Sequence, residues 1–145
     1  MKIYSAIIVI FFNLQVFGQD VIINEFMSSN NSVIQDFEGN YSDWIELYNK
    51  SDEEINLLNF SLSDDIENYR KWILPQITIK PNDYLIIFAS GTNKISGTEV
   101  HTNFKIKQSG EPLILTNSMG SILSLIEPVF IPSDKSYACI VDGNE

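Results

Sequence analysis

The sequence predicts an all-β domain folded as a sandwich or barrel, and three observations predict it. Clusters of Gly, Pro, Asn, Asp and Ser recur about every 8 to 12 residues, the spacing of short antiparallel strands. The runs between them are rich in Ile, Leu, Phe, Tyr and Trp and alternate with a period of two. No stretch repeats its apolar residues with the period of a helix.

In chain order, residues 20–28 read as a strand with Ile22, Asn24 and Phe26 on one face and Val21, Ile23, Glu25 and Met27 on the other. Two mostly apolar faces suit an inner position. Asn24 and Glu25 are expected to bond loop backbone at the strand end. A polar connection follows and ends in the acidic turn Gln35-Asp36-Phe37-Glu38-Gly39-Asn40, where Gly39 is free to take a positive φ. Residues 42–49 form a central strand, with Ile45 and Leu47 on one face and Trp44, Glu46 and Tyr48 on the other. Residues 54–62 read as the next strand. Its alternation changes phase at Leu57-Leu58, as a β-bulge or a bend between sheets would require.

Trp72-Ile73-Leu74 is a short piece stopped by Pro75, and residues 76–80 are another stopped by Pro81. Residues 84–90 are the most strongly β run, with Tyr84, Ile86 and Phe88 alternating against Leu85, Ile87 and Ala89. Residues 91–99 read as a loop and 100–106 as a strand around His101 and Phe104. Residues 111–117 and 122–126 form a hairpin through Ser118-Met119-Gly120-Ser121. Residues 136–141 close the chain as a last short strand.

Bulk properties narrow the function. The chain has 145 residues, enough for one domain, and 44% of them are hydrophobic, enough for a packed core. The formal net charge of −10 and the lack of a Lys/Arg cluster argue against nucleic-acid binding through a basic surface. The single cysteine, Cys139, cannot form an intrachain disulfide and reads as a small buried apolar residue. Residues 1–18 have the order of a secretory signal. Lys2 precedes the apolar run Ala6-Ile7-Ile8-Val9-Ile10-Phe11-Phe12, and Val16 and Gly18 precede a cut before Gln19. The run is too short and too interrupted by Asn13 and Gln15 to span a membrane. A mature chain of residues 19–145 is therefore expected to be secreted or held at the cell surface, with no transmembrane segment.

Several pieces taken together resemble the lamin tail domain in its secreted bacterial form. They are Ile23-Asn24-Glu25-Phe26-Met27, Asp43-Trp44-Ile45-Glu46-Leu47-Tyr48-Asn49, the run 55–65, Lys71-Trp72-Ile73-Leu74-Pro75, the run 79–90, His101-Thr102-Asn103-Phe104 and residues 110–115. The resemblance covers about residues 20–141 and implies an immunoglobulin-like β-sandwich. One departure stands at the end. The family closes with Ser-Tyr/Phe-Gly-Arg and a further segment, whereas here Ser136-Tyr137 is followed by Ala138-Cys139. The domain is thus expected to lack its last segment, and the chain to be a fragment of a longer protein. In relatives such a domain stands beside others, including kinase-like and nuclease domains.

The sharpest candidate site is Asp36, Glu38, Asn40 and Asp43, whose alternate oxygen side chains in a Gly-containing loop could hold a hard cation such as calcium. A solvated turn with capping carboxylates explains the same residues. Trp44, Tyr48, Trp72 and Tyr84 serve either a core or an aromatic surface for sugar or peptide. Asn-x-Ser sequences stand at Asn30, Asn40, Asn49 and Asn59. His101 has no zinc-ligand spacing, and no nucleophile elbow or phosphate loop is present, so no catalytic residue and no cofactor is expected. The reading is a secreted, non-catalytic module that binds a protein or glycan. A calcium-dependent binding module and an accessory domain of an extracellular enzyme are the alternatives.

Overall fold

Strand β2 (Asp43–Asn49) sits inside a four-stranded antiparallel sheet, between β1 (Val21–Met27) and β7 (Tyr84–Ala89). The computed structural model describes residues 20–138. The expected signal peptide, Cys139 and the end of the last strand lie outside them. A short β12 (Tyr137–Ala138) adds to the free edge of β1, giving the order β12-β1-β2-β7.

The second sheet has the order β11-β10-β4-β5, built from β4 (Ser61–Ser63), β5 (Trp72–Ile73), β10 (Leu113–Thr116) and β11 (Ile122–Ile126). Two ribbons complete the set: β3 (Ile55–Asn56) with β6 (Thr78–Ile79), and β8 (Ile95–Ser96) with β9 (Glu99–Val100). All these ladders are antiparallel, and no helix occurs among the described residues.

The period-two pattern explains the packing. Ile23, Leu47 and Leu85 meet in register across the first sheet, as do Phe26, Ile45 and Ile87. They face Leu62, Trp72, Leu113 and Leu115 of the second sheet in one core. The opposite face of β2 is not simply solvated. Trp44 packs with Met27 and Phe88 into a second cluster, closed by Ile34 from the polar connection. Further along the same face Tyr48 and Tyr84 stack with ring centroids 4.6 Å apart. Thus the two tryptophans are packed, and the two tyrosines pair on the sheet's outer face.

Three expectations need correction. The predicted strand over 54–62 is two strands in different sheets. Leu57–Phe60 is a turn between them, in which the Phe60 amide donates to the Leu57 carbonyl and Asn59 has φ +67°. The phase change therefore marks a bend between sheets rather than a bulge. The predicted loop over 91–99 contains the β8–β9 hairpin, turned at Gly97 with φ +62°.

Only Val100 of the predicted 100–106 strand is in a ladder. Beyond it a single parallel bridge, Phe88↔His101, touches β7, and Thr102, Phe104 and Ile106 are buried in a strap held where the Thr102 hydroxyl donates to the Phe104 carbonyl. Finally, Asn24 donates to the Glu46 side chain of the adjacent strand at 2.9 Å, a cross-strand partner that the sequence pattern does not predict. It lies where the β1–β2 register shifts, and a β-bulge frees its side chain to reach across.

Candidate functional site

At one end of the sandwich the acidic turn, the β8–β9 hairpin, the 101–107 strap and β5 come together. Asp36 organises the turn locally. Its Oδ1 accepts hydrogen bonds from the backbone amides of Glu38 (3.0 Å) and Asn40 (2.8 Å), and its own amide donates to the Asn40 carbonyl. Gly39, at φ +80°, lets the chain close this small loop. Burial raises the Asp36 pKa, but the hydrogen bonds from Asn40 and Glu38 outweigh it and hold the carboxyl below its ordinary value.

A lowered folded pKa contributes stability that is present above the unfolded pKa and lost as pH falls through the folded one. Asp36→Ala is expected to cost about 1–2 kcal/mol at neutral pH, the loss of two amide bonds to a charged acceptor near the surface. The difference from the parent shrinks as the pH is taken below the carboxylate range, which melting curves at pH 7 and pH 3 would show.

Asp43 does different work. It stands at the start of β2, where Oδ1 accepts from the Asn30 amide (3.4 Å) and Oδ2 from the Ile106 amide (3.3 Å). One carboxylate thereby ties the connection after β1 to the strap. Burial raises its pKa in spite of these two donors. Glu38 points elsewhere and pairs with Lys94 on the hairpin at 2.6 Å. The fold brings Asp36 and Asn40 together, while Glu38 and Asp43 are each engaged by another element. Among the described residues, no three His, Cys, Asp or Glu side chains meet in a way that could hold a metal ion.

The hairpin is fastened to the turn from both sides. The Phe37 amide donates to Glu99 Oε2 at 2.9 Å, and the Phe37 ring lies over Gly97. His101 follows β9, is 1% exposed, stacks on Phe88 and forms a hydrogen bond with Ser90 Oγ through Nδ1 at 3.0 Å. Glu99 Oε2 lies 3.9 Å from its Nε2, beyond hydrogen-bond length.

Ser90, His101 and Glu99 thus imitate a hydrolytic triad in composition alone. The Ser90 hydroxyl also meets Thr92 Oγ1 and receives the Thr92 amide, Glu99 is engaged by Phe37, and the imidazole is sealed in the sheet. The group fixes the hairpin on the edge of β7, where the Thr102 amide donates to the Phe88 carbonyl.

Three large apolar side chains remain in solvent on this rigid frame. Phe37 is 69% exposed, Ile95 is 62% exposed, and Ile73 on β5 is also exposed. Between β5 and the hairpin lies a cavity of about 160 Å³, walled by Trp72, Pro75, Asn93, Lys94 and His101 along with Ile73 and Ile95. The Trp72 indole donates to Asn93 Oδ1 at 2.9 Å, which fixes the floor. Sequence reasoning reached Trp72 and His101 but missed Phe37, Ile73 and Ile95. The Ser-Gly-Thr turn after Ile95 was the available signal for the hairpin.

The Asn-x-Ser sequences also separate by burial. The Asn30 amide donates to the Ile34 and Ser42 carbonyls, and the Asn49 amide to three others, so both are structural. Asn40 belongs to the acidic turn and Asn59 to an exposed turn.

The lamin tail domain family matches residues 18–129, most of the chain. The protein belongs to the lamin tail domain family. Its two antiparallel sheets around one core are the immunoglobulin-like sandwich of that family, and the lamin tail domain is non-catalytic. The matched part of this lamin tail domain holds the acidic turn, the hairpin, the strap and β5, whereas β12 lies beyond it. Comparison with curated proteins gives no match.

Proposed function

We propose that this lamin tail domain is an exported interaction module that binds a protein partner through the end formed by the acidic turn, the hairpin and β5. One observation carries the reading. Phe37 and Ile95 project large apolar side chains into solvent from a frame fixed by Asp36, Glu99, Lys94 and Asp43. Rigid apolar anchors with a polar rim are the usual energetic centre of a protein interface, because little side-chain entropy is lost on docking. Export rests on the order of residues 1–18. A protein partner is favoured over a glycan because the exposed groups here are aliphatic as well as aromatic.

The test uses a paired surface change. The chain is immobilised and exposed to extracellular proteins, and what it retains is compared with a Phe37→Asp/Ile95→Asp variant and with Met119→Asp. Met119 is exposed beside the start of β1, away from this end. The double variant is expected to lose at least about tenfold in retention, or about 1.4 kcal/mol, while Met119→Asp retains the partner. Equal retention by all three would contradict the reading. Melting curves of both variants should match the parent, since neither change touches the core.

A further inference from the structure

We propose that the groove between β5 and the β8–β9 hairpin takes an extended peptide, with one aliphatic side chain in the cavity and basic residues flanking it. The inference rests on the reading of this end as the binding surface and adds the mode and chemistry of the ligand.

The backbone supplies the first observation. β5 is an edge strand of the second sheet, paired with β4 at Leu62↔Trp72 and Ser61↔Ile73. The Leu74 amide donates to the Phe60 carbonyl, so Phe60 and Leu74 are a hydrogen-bonded pair in this ladder. Antiparallel pairs alternate, which makes Ser61↔Ile73 a non-hydrogen-bonded pair. The Ile73 N–H and C=O therefore point away from β4, toward the open edge. An extended peptide can satisfy both groups by adding a strand. β5 is two residues long, stands between Lys71 and Pro75, and has the Lys71 carbonyl already bonded by the Asn103 side chain, so the part of the edge open to pairing is Ile73.

The cavity supplies the second. At about 160 Å³ it is well below the roughly 300 Å³ at which pockets hold a whole small-molecule ligand. It suits one branched side chain. Trp72, Ile73, Pro75 and Ile95 give it an apolar lining. Alternate side chains of an added strand point to opposite faces, so one residue can enter the cavity while its neighbours face solvent.

Charge supplies the third. The two lysines nearest the groove are already paired, Lys71 with Asp64 and Lys94 with Glu38, each at 2.6 Å. The chain as a whole carries a formal net charge of −10. With both lysines neutralised, no unpaired charge among these four opposes a basic ligand, and the acidity of the whole chain favours Lys or Arg on either side of the inserted residue.

The probe is the blocked heptapeptide Lys-Thr-Lys-Leu-Lys-Thr-Lys, titrated into the full chain by calorimetry with tryptophan fluorescence as a second readout. Versions with Gly or Asp at the centre should bind at least about tenfold more weakly, as should a version with Glu in place of Lys. N-methylation at alternate backbone positions should weaken binding about tenfold in one of the two phases and little in the other, since only one set of amides faces the edge. Ile73→Pro removes the edge donor without removing a ladder bond, and should also cost about tenfold. The N-methylated peptides keep the test independent of how that variant folds.

No binding of the leucine peptide at about 1 mM, a weak affinity of about 4 kcal/mol, would overturn the proposal. So would equal binding of the leucine, glycine and aspartate peptides, or binding of oligosaccharides at the groove in their place. If the Phe37→Asp/Ile95→Asp variant loses its partner while the peptides fail, the ligand mode alone is wrong.

Discussion

Replacing Asn49 by alanine is expected to lower the unfolding free energy by about 2–4 kcal/mol, from several buried hydrogen bonds lost at about 0.5–1.5 kcal/mol each. The residue ends β2 and is 0% exposed. Its amide Nδ2 donates to the Glu53 carbonyl at 2.7 Å and is shared between the Ile79 and Lys80 carbonyls at 3.1 Å each. Its Oδ1 accepts from the Ser51 amide and hydroxyl. One side chain thus joins the turn after β2 to the end of β6, adding a second donor to carbonyls that the β3–β6 ladder, the Asp83 amide and the Ser51 hydroxyl also serve.

Alanine would leave the carbonyls and the Ser51 amide without this partner. Asn49→Asp should be worse, because a carboxylate would face carbonyl oxygens. Urea unfolding followed by tryptophan fluorescence would measure the order, parent above Asn49→Ala above Asn49→Asp. A loss under about 1 kcal/mol for Asn49→Ala would mean that water replaces the amide freely.

Leu47→Ala should cost about 3–4 kcal/mol, within the range for a fully buried leucine whose site cannot collapse. Leu47 is 0% exposed in the central strand of its sheet, between Ile23 and Leu85 in register and facing the second sheet. The rigid ladders on both sides keep the backbone from closing the void. Its neighbour Tyr48 has the opposite outlook. It stacks on Tyr84 at the partly open outer face, so Tyr48→Ala should cost no more than about 1.5 kcal/mol from the lost aromatic pair, a smaller change than at Leu47. Denaturation midpoints of the two variants would show whether period two assigns the faces correctly. A Tyr48 effect equal to the Leu47 effect would contradict it.

The faces of β2 were legible because alternation is a local property. Ile45 and Leu47 announced one buried face, and they are in the main core. The burial of Trp44 on the other face was not legible as a separate cluster. It depends on Ile34 folding back from a polar connection, which no local pattern records. The break at Leu57 was visible as a phase change, but its device was not, since Asn59 in the left-handed region is only one of several ways to turn a chain.

Alternation misled at residues 100–106. Thr102, Phe104 and Ile106 are buried in step, yet the segment is a strap over the sandwich edge rather than a ladder. Period two reports which side chains are covered and is silent about hydrogen-bond partners.

The candidate site shows the same division. The run from Asp36 to Asp43 was conspicuous as a set of oxygen side chains in a turn. Composition does not say where each carboxylate is aimed, and here Glu38 reaches the hairpin while Asp43 bonds the strap. The hairpin itself hid inside a loop because two-residue strands carry too few residues to show a period. Phe37, Ile73 and Ile95 gained their meaning only when the fold set them around one groove.

Site-specific photo-crosslinking addresses the central claim most directly. A photoreactive residue is placed at Ile95 in one form of the chain and at Leu125, an exposed apolar position on β11, in another. Both forms are illuminated with the same extracellular proteins. A protein adduct at position 95, abolished by Phe37→Asp and absent at position 125, is the predicted result. An adduct at position 125 with none at position 95 would place the binding surface on the other sheet edge and contradict the account.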